Sequence, residues 1–192
     1  MLYCIQVEPM QEVKTEKEIL AIVPAQYLNA CFHLTRRMHR KYHGRWQDVT
    51  ERFLPSYIFI DTEDFDECYK SLKRVPTLTK VVGLNEWNPA ENGLNTFYAL
   101  NAEEEALIRQ LAMGSGAAAP GMVDISRVEM SEGDTVEILD GPLKGLEGNI
   151  KKLDLHRRQA VVNMSMLGRD LELRFGIEIV KRAEESETIY IQ

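Results

Sequence analysis

The chain has 192 residues, of which 44% are hydrophobic and 28% are charged, and its formal net charge is −7. These proportions are typical of a globular protein with one large domain or two small ones. The negative charge argues against a protein that coats nucleic acid indiscriminately, and no run approaches the ~18 apolar residues of a membrane helix.

The start of the chain and its cysteines both favour a cytoplasmic protein. The segment 1–5 lacks the basic start and apolar core of a signal peptide. Cys4, Cys31 and Cys68 are odd in number and widely spaced, which is typical of a reducing compartment. We expect Cys4 and Cys31 to be buried, unreactive thiols.

The first half of the chain alternates between strand-like and helix-like segments. The pattern predicts, in chain order, a strand at 2–7, a helix at 14–23, a strand from about Cys31, a strand running into a basic loop at 33–46, a strand at 53–61, a helix at 65–74, a short strand at 81–83 and a helix at 102–111. Asp64 is the expected N-cap of the second helix, and Asn101 with Glu104 forms a capping box for the third. This alternation indicates an α/β sandwich.

A flexible connection follows the third helix. The run AMGSGAAAPG at 112–121 is small and uncharged, and a coil of this length would separate its ends by roughly 20 Å. We therefore predict two independent units at 1–112 and 127–182, a linker at 113–126 and an acidic tail at 183–192.

The second half contains only strand-like segments. They lie at 135–139, 146–152, 159–166, 169–175 and 178–181, with a tight turn at Leu167-Gly168. Five short strands within about fifty residues suit a small barrel. The segment 133–150, GDTVEILDGPLKGLEGNI, begins with alternating β-branched residues, turns at Asp140-Gly141-Pro142, and carries Gly145 and Gly148 where a bent strand needs residues without a Cβ.

These features resemble a known family. The segment 133–150 is similar to the KOW motif of SH3-like barrels, and the strands YCIQV at 3–7 and RFLPSYIFI at 52–60 are similar to two strands of the NusG family of transcription elongation factors. The resemblance implies an α+β protein, with an NGN-like α/β sandwich followed by an all-β SH3-like barrel with a KOW motif. It also implies no enzymatic activity, no cofactor and no metal.

The resemblance implies RNA polymerase as the main partner, through the clamp helices of its largest subunit. Matched onto this sequence, the polymerase-binding patch would include Leu54, Pro55, Tyr57 and Phe59. Alternation along the strand leaves open whether these side chains form this patch or the core, because one face of the strand must be buried. We expect a monomer that does not bind membranes.

Two basic segments are candidates for contact with a nascent RNA hairpin or with non-template DNA. On the N-terminal half they comprise Arg36, Arg37, Arg40, Lys41 and Arg45, and on the barrel they comprise Lys144, Lys151, Lys152, His156, Arg157, Arg158 and Arg169. Such cations would bind phosphates without reading sequence, and Trp46 could stack on an unpaired base. The alternative for both segments is a solvated basic loop.

Three departures from the family pattern favour a specialised member. Leu54 stands where an aromatic residue is usual, Ser56 where glycine is usual, and Leu167 replaces the Phe of a turn that contacts Rho and a ribosomal protein. Within the family the chain is most similar to the LoaP group, antiterminators that act on long operons. A general factor linking polymerase to Rho or ribosomes, and a ribosome-associated KOW RNA-binding protein, remain as alternatives.

Catalytic patterns give no persuasive match. The sequence has no Walker loop, and no Gly-x-Gly-x-x-Gly follows a predicted strand. His39 and His43 have the spacing of zinc ligands on a helix, but Arg40 and Lys41 lie between them and would repel a cation.

Overall fold

The structure is a computed structural model that describes residues 1–78, 97–113, 121–130 and 136–180. Its strands are β1 (Leu2–Gln6), β2 (Ala30–Phe32), β3 (Thr35–Tyr42), β4 (Arg45–Arg52), β5 (Tyr57–Asp61), β6 (Phe97–Ala99), β7 (Met122–Val123), β8 (Ser126–Met130), β9 (Val136–Asp140), β10 (Ile150–Asp154), β11 (Gln159–Met166) and β12 (Arg169–Val180). Its α-helices are α1 (Glu12–Ile22), α2 (Phe65–Leu72) and α3 (Ala102–Met113). The strand predicted at 81–83 and the tail at 183–192 lie outside the described residues.

The N-terminal half is built on a four-stranded sheet in the order β2-β5-β1-β6. Its residues alternate between two faces, as the pleat of a strand requires. Ile58 and Ile60 of β5 pack into a core with residues of α1 and α2, including Ile19 and Leu72. Phe59, between them in sequence, joins a different core on the opposite face.

The basic segment after β2 is a β-hairpin, not the strand and loop that the sequence predicts. β3 and β4 pair antiparallel from Thr35 opposite Arg52 to Tyr42 opposite Arg45. The turn is His43-Gly44, with φ angles of 48° and 80°. Two consecutive positive φ angles are what the primed two-residue turns of hairpins require, and Gly44 supplies one of them without steric cost.

The second half is a curled five-stranded sheet in the order β10-β11-β12-β8-β9. Two predicted strands merge into the long β12, and residues 147–149 form a short 3-10 helix where a strand was expected. The tight turn at Leu167-Gly168 is confirmed, with φ angles of 55° and 70°. The predicted role of Gly148 is wrong, because it lies in the 3-10 helix with open space where a Cβ would be.

The described end of the predicted linker is not a free coil. Met122–Val123 forms β7, which pairs with β3, and Ser126 begins β8 of the barrel sheet. The core that contains Phe59 also contains barrel residues, among them Val162 and Phe175. The two halves therefore pack together, which differs from the independence that the sequence favoured.

Local predictions of helix starts and thiol burial are confirmed. Asn101 Oδ1 accepts from the Glu104 backbone N at 2.9 Å, and Glu104 Oε2 accepts from the Asn101 N at 3.0 Å. Asp64 caps α2 by accepting from the Glu67 N. All three cysteines are buried and free, and burial raises the pKa of the Cys68 thiol to about 11. The predicted α+β class, an NGN-like sandwich followed by a KOW barrel, is confirmed. No helix in the described part of the chain is long and apolar enough to cross a membrane.

Candidate functional site

The β5 region presents its apolar side chains to the second half of the chain. Leu54 is 4% exposed and Phe59 is 0% exposed, and both belong to the core that continues into the barrel. Tyr57 is half-buried and packs against the same core, whereas Pro55 is exposed. In this arrangement the predicted polymerase-binding patch is covered, except for Pro55.

Two aromatic contacts join the halves at this place. The rings of Phe53 and Phe175 meet edge to face, with 5.0 Å between their centroids. The Tyr57 hydroxyl accepts a hydrogen bond from Arg169, and the Arg169 guanidinium lies 5.3 Å from the centroid of the Tyr57 ring. Burial raises the pKa of Tyr57, and the positive charge of Arg169 only partly offsets this effect. Arg169, which the sequence predicts to contact nucleic acid, contacts Tyr57 of the predicted polymerase-binding patch in this structure.

A buried carboxylate holds the turn that precedes β5. Ser56 has a φ of 69°, a conformation that glycine adopts more easily than serine. Its backbone N donates to Glu12 Oε1 at 2.8 Å, and Arg52 donates to the other oxygen of Glu12 at 3.1 Å. Burial would raise the pKa of Glu12, but these hydrogen bonds hold it below its ordinary value. This local support explains how serine occupies the position where the family pattern has glycine.

The turn between β11 and β12 docks on the start of α3. The backbone N of Leu167 donates to Glu104 Oε1 at 2.7 Å, while the other oxygen of Glu104 completes the cap of α3. The Leu167 side chain is half-buried against the shared core. The turn that carries Leu167 and the predicted polymerase-binding patch are therefore covered by the same packing.

The cations at the base of the β3–β4 hairpin are neutralised by carboxylates. Arg40 donates to both oxygens of Glu51, at 2.7 and 2.9 Å, and Arg36 donates to Glu51 at 3.0 Å. Arg37 donates to Asp48 at 2.9 Å and to Asp124 at 2.8 Å. The Arg40 hydrogen bonds, with Arg36 second, hold the pKa of Glu51 below its ordinary value. Arg36 also donates to the backbone oxygen of Arg174 in β12, at 2.9 Å.

Several of the predicted barrel cations also have partners. Lys151 forms a salt bridge with Glu172 at 2.9 Å, and Lys144 Nζ donates to the backbone oxygen of Leu139 at 3.0 Å. Lys152 and Arg157 each lie 3.9 Å from a carboxylate oxygen of Asp154, at the outer limit of an ion pair. These pairs are exposed and therefore individually weak.

The two predicted basic segments meet at one contact. The Arg158 guanidinium lies 4.5 Å from the centroid of the Trp46 ring, so the β10–β11 turn touches the tip of the β3–β4 hairpin. Lys41, Arg45 and His156 are exposed in the same two elements. The sequence showed each segment but not their proximity, because no local pattern relates residues more than a hundred positions apart.

A metal centre finds no support in the described residues. No group of three or more His, Cys, Asp or Glu side chains within them could hold an ion. His39 Nδ1 is 2.7 Å from Asp48 Oδ1, so this histidine belongs to the ion pairs of the hairpin.

Comparisons with known proteins agree with the two-part architecture. Residues 2–92 match the model described as transcription termination factor nusG, and residues 132–163 match the KOW motif. The N-terminal half of the chain is therefore similar to NusG proteins, and the second half carries a segment similar to the KOW motif. The transcription termination/antitermination protein NusG of Streptococcus pyogenes serotype M3 is 24% identical over 150 residues, which cover 78% of this chain and 71% of that protein.

Two further relatives support the same assignment. NusG of Vibrio cholerae is 24% identical over 135 residues, covering 69% of this chain and 67% of that protein. A solved structure titled "Domain interaction in Thermotoga maritima NusG" shares the fold with a TM-score of 0.50 and 21% identity, covering 91% of this chain and 92% of the other. The chain is thus similar in sequence to NusG proteins over both of its halves, and it shares the fold of the Thermotoga protein.

Proposed function

We propose that this protein binds RNA polymerase through the β5 face and promotes processive antitermination at selected operons. The proposed partner surface on polymerase is the pair of clamp helices of the largest subunit, as the family resemblance implies. The proposed contacts from this chain are Leu54, Pro55, Tyr57 and Phe59. In this proposal the chain acts by binding and carries out no reaction.

The observation that carries the proposal is the continuity of one apolar core across two halves of the chain. Leu54 and Phe59 lie in a core completed by barrel residues such as Phe175 and Ile177. An apolar face that is covered by a second domain becomes available to a partner when that domain moves away. The sequence that connects the halves includes the small, uncharged run at 112–121, a composition typical of linkers.

The packing of the halves also covers the Leu167 turn of the barrel, and this favours action at selected operons. The Leu167 turn corresponds to the family's contact with Rho and a ribosomal protein, yet here it donates to Glu104 of α3. The packed chain thus withholds the polymerase face and this turn at the same time. We infer that a release step precedes binding to polymerase, which suits a factor recruited at particular sites. The nucleic acid that recruits it would be a nascent RNA hairpin or non-template DNA.

A variant that separates the halves tests this function. A Cβ added to Gly176 would lie 2.6 Å from the backbone oxygen of Arg37, so Gly176→Ala forces the barrel away from the hairpin. Gly176 does not have a positive φ, so alanine is compatible with β12 itself. We expect Gly176→Ala to bind core RNA polymerase more tightly than the natural chain, and Gly176→Ala combined with Tyr57→Ala to lose that gain.

Transcription through an intrinsic terminator measures the proposed outcome. We expect Gly176→Ala to increase read-through on many templates, and the natural chain to do so only on templates with a recruiting element. Read-through by the natural chain on every template would favour the alternative of a general elongation factor. Absence of polymerase binding by both proteins would contradict the proposal.

A further inference from the structure

The buried carboxylate of Glu12 connects three elements of the N-terminal half. Glu12 lies in the first turn of α1 and is 1% exposed. Its Oε1 accepts from the backbone N of Ser56, in the turn between β4 and β5, and its Oε2 accepts from Arg52 at the end of β4. Glutamate is almost never fully buried unless it is paired, and here both oxygens have partners. The carboxylate therefore ties α1, the hairpin and the turn before β5 together.

The turn before β5 depends on this carboxylate because the backbone of Ser56 is strained. Its φ of 69° lies in the left-handed region, which residues with a Cβ rarely adopt. The Ser56 backbone oxygen accepts from the Val7 N at 2.9 Å, while its N donates to Glu12 at 2.8 Å. Both backbone groups of Ser56 are thus held, and removal of the Glu12 carboxylate would leave a strained residue fixed on one side only.

Ser56 lies between two residues of the predicted polymerase-binding patch. Pro55 precedes it and is exposed, and Tyr57 follows it as the first residue of β5, opposite Gln6 of β1. Proline has no backbone N–H, so Pro55 cannot donate a hydrogen bond that would fix the turn. A change of φ at Ser56 would rotate Pro55 relative to β5. The left-handed conformation of Ser56 therefore sets the geometry of Pro55 and Tyr57 relative to each other.

The hydrogen bonds that hold Ser56 come from the N-terminal half, not from the barrel. Glu12 and Val7 both precede β2 in the chain. The Tyr57 hydroxyl, in contrast, accepts from Arg169 of the barrel and would lose this contact when the barrel moves away. The turn should keep its shape in that state because its support remains. A surface that is already in its binding conformation loses less freedom when a partner binds, so its affinity is higher.

We propose that Glu12 is a positioning residue for polymerase binding. Its carboxylate keeps Ser56 left-handed, so that Pro55 and Tyr57 have their binding geometry before polymerase arrives. Glu12 itself is buried and does not touch the partner. The inference rests on the proposed function and adds the residue that shapes its binding patch. Serine at position 56 makes the dependence strong, because glycine would adopt the same conformation at little cost.

Titration of the labelled full chain with core RNA polymerase, read by fluorescence anisotropy, tests the positioning role. All variants carry Gly176→Ala, which is expected to uncover the β5 face. We expect Glu12→Ala to weaken polymerase binding about tenfold, because the turn loses a buried hydrogen bond. In chains that also carry Ser56→Gly, Glu12→Ala should weaken binding no more than about threefold, since glycine needs less support in this conformation.

The matched control is Glu16→Ala, one turn further along α1. Glu16 Oε2 accepts from the backbone N of His33 at 3.0 Å, so it is the same kind of carboxylate but holds the segment before β3. It should leave polymerase binding nearly unchanged, with and without Ser56→Gly. Urea denaturation verifies that each variant is folded. Glu12→Gln, which keeps the shape and one acceptor oxygen, replaces Glu12→Ala if that variant is unfolded, with a smaller expected loss.

Amide exchange separates the positioning role from the proposed function itself. Glu12→Ala should speed exchange of the Ser56 amide at least about tenfold. If the Gly176→Ala chain does not bind polymerase, the proposed function and the positioning role are both overturned. If it binds, and Glu12→Ala speeds exchange at Ser56 without weakening binding, only the positioning role is overturned. Equal losses of binding with and without Ser56→Gly would also overturn it, because they would reflect general stability instead of the conformation of this turn.

Discussion

The two faces of the N-terminal sheet are both apolar but are completed in different ways. One face of β5 buries Ile58 and Ile60 under α1 and α2, which lie within about 50 residues of β5 in sequence. The opposite face buries Phe59 in a core that includes α3 and barrel residues more than 100 positions away, such as Phe175. The first core is formed within the N-terminal half, whereas the second is completed by residues of the barrel.

This difference has a thermodynamic consequence. Breaking the helix-covered core exposes apolar surface that has no other partner, so it costs stability outright. Opening the barrel-covered face exposes surface that a polymerase subunit could cover in exchange. Substitutions on the helix-covered face should therefore change the free energy of unfolding. Substitutions on the barrel-covered face should change the population of chains whose halves are separated.

The largest effect is expected on the helix-covered face. Ile58 is 0% exposed in the core with Ile19 and Leu72, so Ile58→Ala removes buried methyl groups and leaves a cavity. We expect a loss of about 3 kcal/mol in the free energy of unfolding of the N-terminal half, measured by urea denaturation. The exposed Val13→Ala, on α1, is the matched control and should change it little. Equal losses from both substitutions would contradict the assignment of this core.

An intermediate effect is expected where the two halves approach most closely. Gly176→Ala places a methyl group 2.6 Å from the Arg37 backbone oxygen, which should weaken the packing of the halves by about 1–3 kcal/mol. We expect the radius of gyration from X-ray scattering to increase, and unfolding of the N-terminal half to stay within about 0.5 kcal/mol of the natural chain. A compact Gly176→Ala chain would remove the distinction between the two faces.

A smaller effect is expected at the Tyr57 contact. Arg169→Ala removes both the hydrogen bond to the Tyr57 hydroxyl and the cation above its ring. The Arg169 side chain is exposed, so we expect its loss to weaken the packing of the two halves by only about 1 kcal/mol. Faster amide exchange in β5 and at Leu167, with unchanged exchange in α1 and α2, is the expected signature. Arg169→Lys keeps a cation and should have a smaller effect on exchange.

Sequence patterns predicted the elements whose determinants are local. The Asn101–Glu104 capping box, the Asp64 cap and the turn at Leu167-Gly168 depend on residues within a few positions of each other. The alternation along β5 also indicated that one face of this strand would be buried, and left open whether Leu54, Pro55, Tyr57 and Phe59 would form a patch or the core. It could not tell which face would be covered by which partner, because the period of a strand carries no information about sequence-distant residues.

The errors occurred where pairing between strands overrides local composition. The polar, basic run of β3 and β4 resembles a loop, yet eight cross-strand pairs and a His43-Gly44 turn make it a hairpin. Similarly, β7 and the start of β8 lie in a segment whose small residues predicted a linker, and their strand form depends on β3 and β12. The predicted nucleic-acid residues divided into paired and unpaired ones for the same reason, since the carboxylates of Glu51 and Asp48 lie across the hairpin.

The smallest effect is expected from protonation of Glu51 at low pH, which should weaken the packing of the barrel on the N-terminal half. Glu51 holds Arg36, which in turn donates to the backbone oxygen of Arg174 in the barrel. The pKa of Glu51 in the folded chain lies below its ordinary value, because Arg40 and then Arg36 donate hydrogen bonds to its carboxylate. A depressed pKa stabilises the fold at pH values above the unfolded pKa, and this contribution is lost as the pH falls through the folded pKa.

We therefore expect the packing of the halves to weaken as the pH falls below about 4.5. At neutral pH we expect Glu51→Gln to weaken this packing by about 0.5 kcal/mol. The packing of the halves should also depend less on pH in Glu51→Gln than in the natural chain, because glutamine has no carboxylate to protonate. Scattering measured from pH 6 to pH 3, at a low ionic strength of roughly 0.01 M to limit screening, provides the comparison. Because Glu51 is about 30% exposed, a change several times larger would mean that the carboxylate supports more of the interface than its contacts with Arg36 and Arg40 account for.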